Sequence, residues 1–149
     1  MEFSKENFSK FLKTAEHFTT LKKKVLISDH KSLIAVFIIN KTKHTKHPHK
    51  NKRVYMSRMA LKHFTENRME NFMRSYSREK SLSLVMFLLN NLVETVSDFD
   101  KYEYEPPNNH FYIKEYYEEE KPSVIKVLLE EKNSWLEIIS IHPSKRSKK

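Results

Sequence analysis

The stretch Asp98–His142 reads DFDKYEYE, PPNN, HFYIKEYY, EEEKP, SVIKVLLE, EKN, SWLEIISIH. Four of those pieces, Asp98–Glu105, His110–Tyr117, Ser123–Glu130 and Ser134–His142, run with the period of two that a pleated strand imposes. The pieces between them, Pro106–Asn109, Glu118–Pro122 and Glu131–Asn133, are polar and of hairpin length. The expectation is an antiparallel four-stranded meander, so the rest of the chain must supply the layer that covers it.

Upstream, the segment from Ser4 to about Lys23 carries Phe8, Phe11, Leu12, Ala15, Phe18 and Leu21 at near-helical spacing, with Ser4 as the expected N-cap. Leu33–Ile39 is β-branched and apolar on both faces, which predicts a buried strand ending at Asn40. Val54–Met56 extends as a short strand, after which Ser57 caps a helix containing Met59, Ala60, Leu61, Phe64 and Met69. A second helix, from about Leu82 to Val96, presents Leu84, Val85, Leu88, Leu89, Leu92 and Val96. The predicted class is α+β: an N-terminal helix and buried strand, and two central helices packed on a four-stranded antiparallel sheet. At 149 residues the chain has room for one ordinary core, so residues 1–149 are expected to be a single domain.

Composition narrows the chemistry. The chain has no cysteine, which removes disulfides, thiolate ligands and cysteine nucleophiles together. It has no glycine either, which excludes Walker and Rossmann phosphate loops and leaves turns to Asn, Asp and Pro. The longest apolar runs, Ser32–Asn40 and Ser83–Asn90, are less than half of the ~20 residues needed to span a bilayer. The first residues lack the basic leader, apolar core and cleavage site of a secretory signal. A cytoplasmic location, no membrane partner and no cofactor are expected.

The formal net charge of +9 conceals an asymmetry. Between Asp29 and Glu66 there is no acidic side chain against nine Lys or Arg residues and five histidines, whereas Glu94 through Glu131 holds eleven acids and four bases. Lys41–Arg53 is almost wholly Lys, His, Thr and Asn, with no apolar residue to bury, and reads as a flexible basic loop. Pro143–Lys149 reads as a frayed basic tail. Lys41, Lys43, Lys46, Lys50, Lys52 and Arg53 on the loop, with Arg58 and Lys62 on the following helix, form the expected nucleic-acid-binding set. Counterion release would favour phosphate binding by that set and make it salt-sensitive.

Histidine is the side chain best suited to proton transfer at neutral pH. His44, His47 and His49 superficially resemble a metal tract, but neighbouring lysines repel cations and no carboxylate is near in sequence, so no metal is expected. His63 lies on the helix after Ser57, with Arg68 five residues on, and His142 ends the last strand with Ser140 two residues before it on the same side. In metal-independent RNA cleavage a base takes the 2′-hydroxyl proton, an acid protonates the leaving oxygen and cations stabilise the phosphorane. DNA lacks that hydroxyl, so this chemistry favours RNA over DNA.

Val54-Tyr55-Met56-Ser57 through Ala60-Leu61-Lys62-His63 and Asn67-Arg68 resembles the strand-plus-helix start of the barnase/EndoU/colicin/RelE-like nuclease superfamily, in its phage-associated form. Trp135–Pro143 resembles that family's terminal strand, and the similarity covers about residues 54–149. The resemblance implies a ribonuclease, often a toxin or effector with an immunity or antitoxin partner. It implies functional roles for His63, Arg68, Ser140 and His142, and more loosely for Lys145. The chain departs from the pattern in having no second histidine after Arg68 on that helix, no glycine, and an N-terminal helix and basic loop without an equivalent.

Three functions follow as expectations. The first is a metal-independent endoribonuclease with His63 and His142 as acid and base, and Arg68 and Lys145 on phosphate. The second is a non-catalytic nucleic-acid-binding protein using residues 41–53 as its arm. The third is an inhibitor or adaptor whose acidic meander docks on a basic protein.

Overall fold

The computed structural model describes residues 5–20 and 32–145. Expectations for Ser4, for the helix beyond Thr20 and for the tail from Arg146 lie outside the described residues. In chain order the elements are α1 (Lys5–Thr20), β1 (Leu33–Ile38), β2 (Arg53–Ser57), α2 (Arg58–Met73), α3 (Arg78–Asn90), α4 (Leu92–Ser97), β3 (Lys101–Glu105), β4 (Asn109–Glu115), β5 (Val124–Glu131) and β6 (Leu136–Ser144). The α+β class holds.

The expected four-stranded antiparallel sheet is corrected to a six-stranded mixed one, ordered β1-β2-β6-β5-β4-β3. The meander of the last four strands is present, but β1 and β2 add to it as an antiparallel pair, and β2 joins β6 in parallel through Val54↔Leu136 and Tyr55↔Glu137. The physical reason is burial. Val54 and Met56, alternating on β2, are both fully buried, and that face has to continue the face made by Leu136 and Ile138 of β6. A bulge in β1 between Ala35 and Phe37 leaves Val36 as the extra residue.

The sheet's inner face packs Val54, Met56, Tyr112, Ile125, Val127, Leu129, Leu136 and Ile138 against Phe11, Ala15 and Phe18 of α1, Leu61, Phe64 and Met69 of α2, and Val85, Leu88, Leu89, Leu92 and Val96 of α3 and α4. Ser57 caps α2 as expected, its side chain accepting from the Ala60 N–H at 3.0 Å. The second helix starts earlier than Leu82. Ser77 caps it by accepting from Lys80 N–H at 3.1 Å, and it breaks at Asn91, whose side-chain amide donates back to Phe87 O. The basic tail is also shorter than expected, because Pro143 and Ser144 belong to β6, opposite Ile125 and Val124. Without glycine, the positive-φ positions among the described residues fall to Asn51 (70°) and Glu120 (60°).

Candidate functional site

The inner face of β3 and the first half of β4, beyond where α4 reaches, is covered by the loop between β1 and β2. Tyr102 pairs with Tyr112, and Tyr104 with His110, so four rings share that face. Onto them folds the segment expected to have nothing to bury. His47 and His49 are 6% and 5% exposed, respectively. The expectation is corrected because an imidazole carries an aromatic body as well as polar nitrogens: the His47 ring stacks on Tyr112 at 5.2 Å, and His44 stacks on Phe99 at 4.0 Å.

The nitrogens are used too. The last carbonyls of a helix have no partner within it, and here the loop supplies partners for the end of α4. His47 Nε2 lies 2.7 Å from Val96 O, and the Thr42 hydroxyl donates to Ser97 O. His44 Nε2 lies 2.7 Å from Phe99 O, and the Lys43 N–H donates to the Asp98 carboxylate. His47 Nδ1 accepts from the His49 N–H at 3.0 Å, which fixes the proton of a neutral His47 on Nε2, where it donates to Val96 O. Burial holds the pKa of His47 below its ordinary value.

With the histidines turned inward, the lysines between them face out. Lys41, Lys46, Lys50, Lys52 and Arg53 are exposed, and Lys43, also exposed, stands 3.9 Å from Asp100. The two helix members of the expected cation set differ. Arg58 lies over the Phe18 ring at 5.9 Å, and Lys62 is buried with its ammonium paired to Glu66, so it does not belong to the exposed set.

His49 leads to a second arrangement. His49 Nδ1 is 2.6 Å from Tyr112 Oη, and His110 Nδ1 is 2.6 Å from Tyr102 Oη. The opposite nitrogens converge on one carboxylate oxygen: His49 Nε2 is 3.4 Å and His110 Nε2 3.6 Å from Glu131 Oε1. These three ligand-type atoms lie within 4.8 Å of one another. His110 Nε2 is buried with no hydrogen-bond partner. Burial, then the neighbouring His110 ring, push the His49 pKa down to about 4. Burial lowers that of His110 as well, and Glu131 opposes it.

The nuclease-type residues separate. His63 is exposed on α2, and five residues place Arg68 about 140° round the helix from it. Among the described residues His63 makes no hydrogen bond or ion pair. His142 instead sits opposite Lys126 on β5, with Ser140 opposite Leu128 on the same outer face of the sheet. Burial, then Arg68 and Lys126, lower the His142 pKa. Lys126 Nζ also lies 4.5 Å from the centre of the Phe111 ring. Lys145 lines a different feature, a cleft of about 1150 Å³ between Phe72, Tyr76, Leu84, Pro122 and Pro143. Ser140 and His142 therefore share one face with Lys126, and the Arg68 charge acts on His142, while His63 makes no hydrogen bond or ion pair with any of them and Lys145 lines the cleft.

Sequence reasoning missed His110, Glu131, Tyr102 and Tyr112. A signal existed in the alternation Tyr102, Tyr104 and His110, Tyr112, which puts four hydrogen-bonding rings on one face of the meander. Among the described residues no helix is long and apolar enough to cross a membrane. No known protein family matches the chain, and neither a curated protein nor a solved structure matches it.

Proposed function

We propose that the chain binds nucleic acid through the exposed cations of residues 41–53, the preference for RNA over DNA belonging to the cleavage reading below. The observation that carries this reading is the alternation of inward histidines with outward lysines, because it holds Lys41, Lys46, Lys50, Lys52 and Arg53 on a shaped surface instead of a solvated coil. A cation whose backbone is already fixed loses less entropy when it meets a phosphate. The test is binding of a labelled single-stranded RNA, and of DNA of the same sequence, across a salt series. Replacing Lys46, Lys50 and Lys52 together by Ala removes three phosphate contacts, so the slope of log affinity against log salt should shrink by about 2. Binding that ignores salt, or that survives the triple substitution unchanged, refutes the reading.

A second reading, metal-independent RNA cleavage, is favoured by one observation, His142 opposite Lys126 with Ser140 on the same face, to which the Arg68 charge also reaches. A histidine held neutral beside two cations is suited to take a 2′-hydroxyl proton while those cations meet the charge that develops on phosphorus. His63 contributes nothing to that geometry. Incubation of RNA with the protein in EDTA tests the idea, with His142→Ala abolishing cleavage and His63→Ala leaving it intact. Intact RNA with the native chain across several substrates removes the reading and leaves binding alone.

A further inference from the structure

We infer that His49, His110 and Glu131 form a binding site for a divalent transition cation of the zinc class. The inference stands on local geometry and does not depend on the nucleic-acid reading.

The distances decide between two explanations of why these groups meet. A charge-assisted N–H···O hydrogen bond runs at about 2.7–2.9 Å. The two Nε2 atoms stand well beyond that, at 3.4 and 3.6 Å from Glu131 Oε1. Two ligands of a tetrahedral zinc with bonds of about 2.0–2.1 Å are separated by about 3.3–3.4 Å. The two separations are close to the edges of such a tetrahedron, the third pair of atoms lies within 4.8 Å, and 3.4 and 3.6 Å are long for charge-assisted hydrogen bonds.

Each ring has a tautomer that suits a ligand. A ligating imidazole presents a lone pair on one nitrogen while the other donates a hydrogen bond that orients the ring. Tyr112 Oη on His49 Nδ1 and Tyr102 Oη on His110 Nδ1, both at 2.6 Å, are placed to accept those bonds. Both Nε2 lone pairs then face a carboxylate oxygen, an arrangement of three electron-rich atoms that a cation stabilises. The His110 residue is 7% exposed, and its Nε2 has no hydrogen-bond partner. Glu131 is half exposed, which gives an ion a way in from the surface.

Ligand chemistry sets the class. Two imidazoles and one carboxylate suit zinc, cobalt and similar ions, whereas calcium and magnesium prefer sets made mostly of oxygen. The ligands come from the β1–β2 loop, from β4 and from the end of β5, so a bound ion would pin the loop that carries the lysines to the sheet.

The experiment uses the full chain stripped with EDTA and dialysed. Zinc chloride is titrated calorimetrically, and cobalt chloride by visible absorption. One zinc per chain, with cobalt bands of tetrahedral intensity and no response to magnesium, is expected. Glu131→Gln, whose carboxylate is half exposed and whose fold is checked by circular dichroism, should abolish the cobalt bands. Tyr102→Phe removes an orienting hydroxyl and should weaken zinc by about 10–100-fold. His63→Ala should change nothing. No zinc binding by the native chain, or binding that survives Glu131→Gln, overturns the inference.

Discussion

Replacing His47 tests whether residues 41–53 are held by their histidines. The ring is 6% exposed, so truncation to Ala removes its stacking on Tyr112 and the edge contact with Phe99, about 1 kcal/mol of aromatic contact. It also leaves Val96 O and the His49 N–H without their partners, at about 1–3 kcal/mol each when water cannot reach them. Partial hydration of the new cavity works against that cost, and about 3 kcal/mol is a fair central value. For a domain of this size that corresponds to a fall in Tm of about 6–12 °C. Thermal unfolding followed by circular dichroism measures it, in EDTA so that no bound ion contributes. His47→Phe keeps the ring but leaves the same two polar groups unpaired, so it should recover less than half of the loss. His63→Ala, on the exposed side of α2, should move Tm by no more than a degree or two, within the usual ±0.5 kcal/mol of surface substitutions. A shift below about 2 °C for His47→Ala, or full recovery by His47→Phe, would refute the claim that paired imidazoles anchor the loop.

Two further predictions concern other parts of the molecule. Glu120→Gly should raise stability by up to about 1 kcal/mol, measured by urea denaturation, because its φ of 60° is costly for a residue with a Cβ and free for glycine. The ring of His142 should titrate below 6.5 by NMR, and Arg68→Gln should raise its midpoint, because burial and the Arg68 charge both disfavour the protonated form. The sign for stability follows from that depressed value: the unfolded chain takes up the proton first, so the contribution of His142 is complete above the unfolded pKa and is lost as pH falls through the folded one.

Much of the fold could be read locally. The last four strands were legible because Lys126, Leu128 and Glu130 alternate with Ile125, Val127 and Leu129, and hairpin-length polar pieces separate the runs. Ser57 announced α2 through its cap. What local reading could not supply was the junction of β2 with β6, since a parallel pair has no connecting turn to mark it and depends on Val54 finding Leu136 across most of the chain. The candidate sites failed for a related reason. His49 was weighed against carboxylates near it in sequence, but its carboxylate, Glu131, arrives from the end of β5. His63 and Arg68 looked paired because they are close along one helix, although five residues turn them to different sides.

The strand order has a consequence for how the sheet is assembled. β6 lies between β2 and β5, yet it is synthesised after every other strand. Until it emerges, β1–β2 and β3–β4–β5 are two separate ribbons, each with an open edge ready to accept a strand. The two ribbons become one sheet only when Leu136–Ser144 slots between them, antiparallel to one and parallel to the other. The union of the two halves of the sheet therefore depends on β6 as its keystone, and without it the edges of β2 and β5 are the open sites at which another strand would pair.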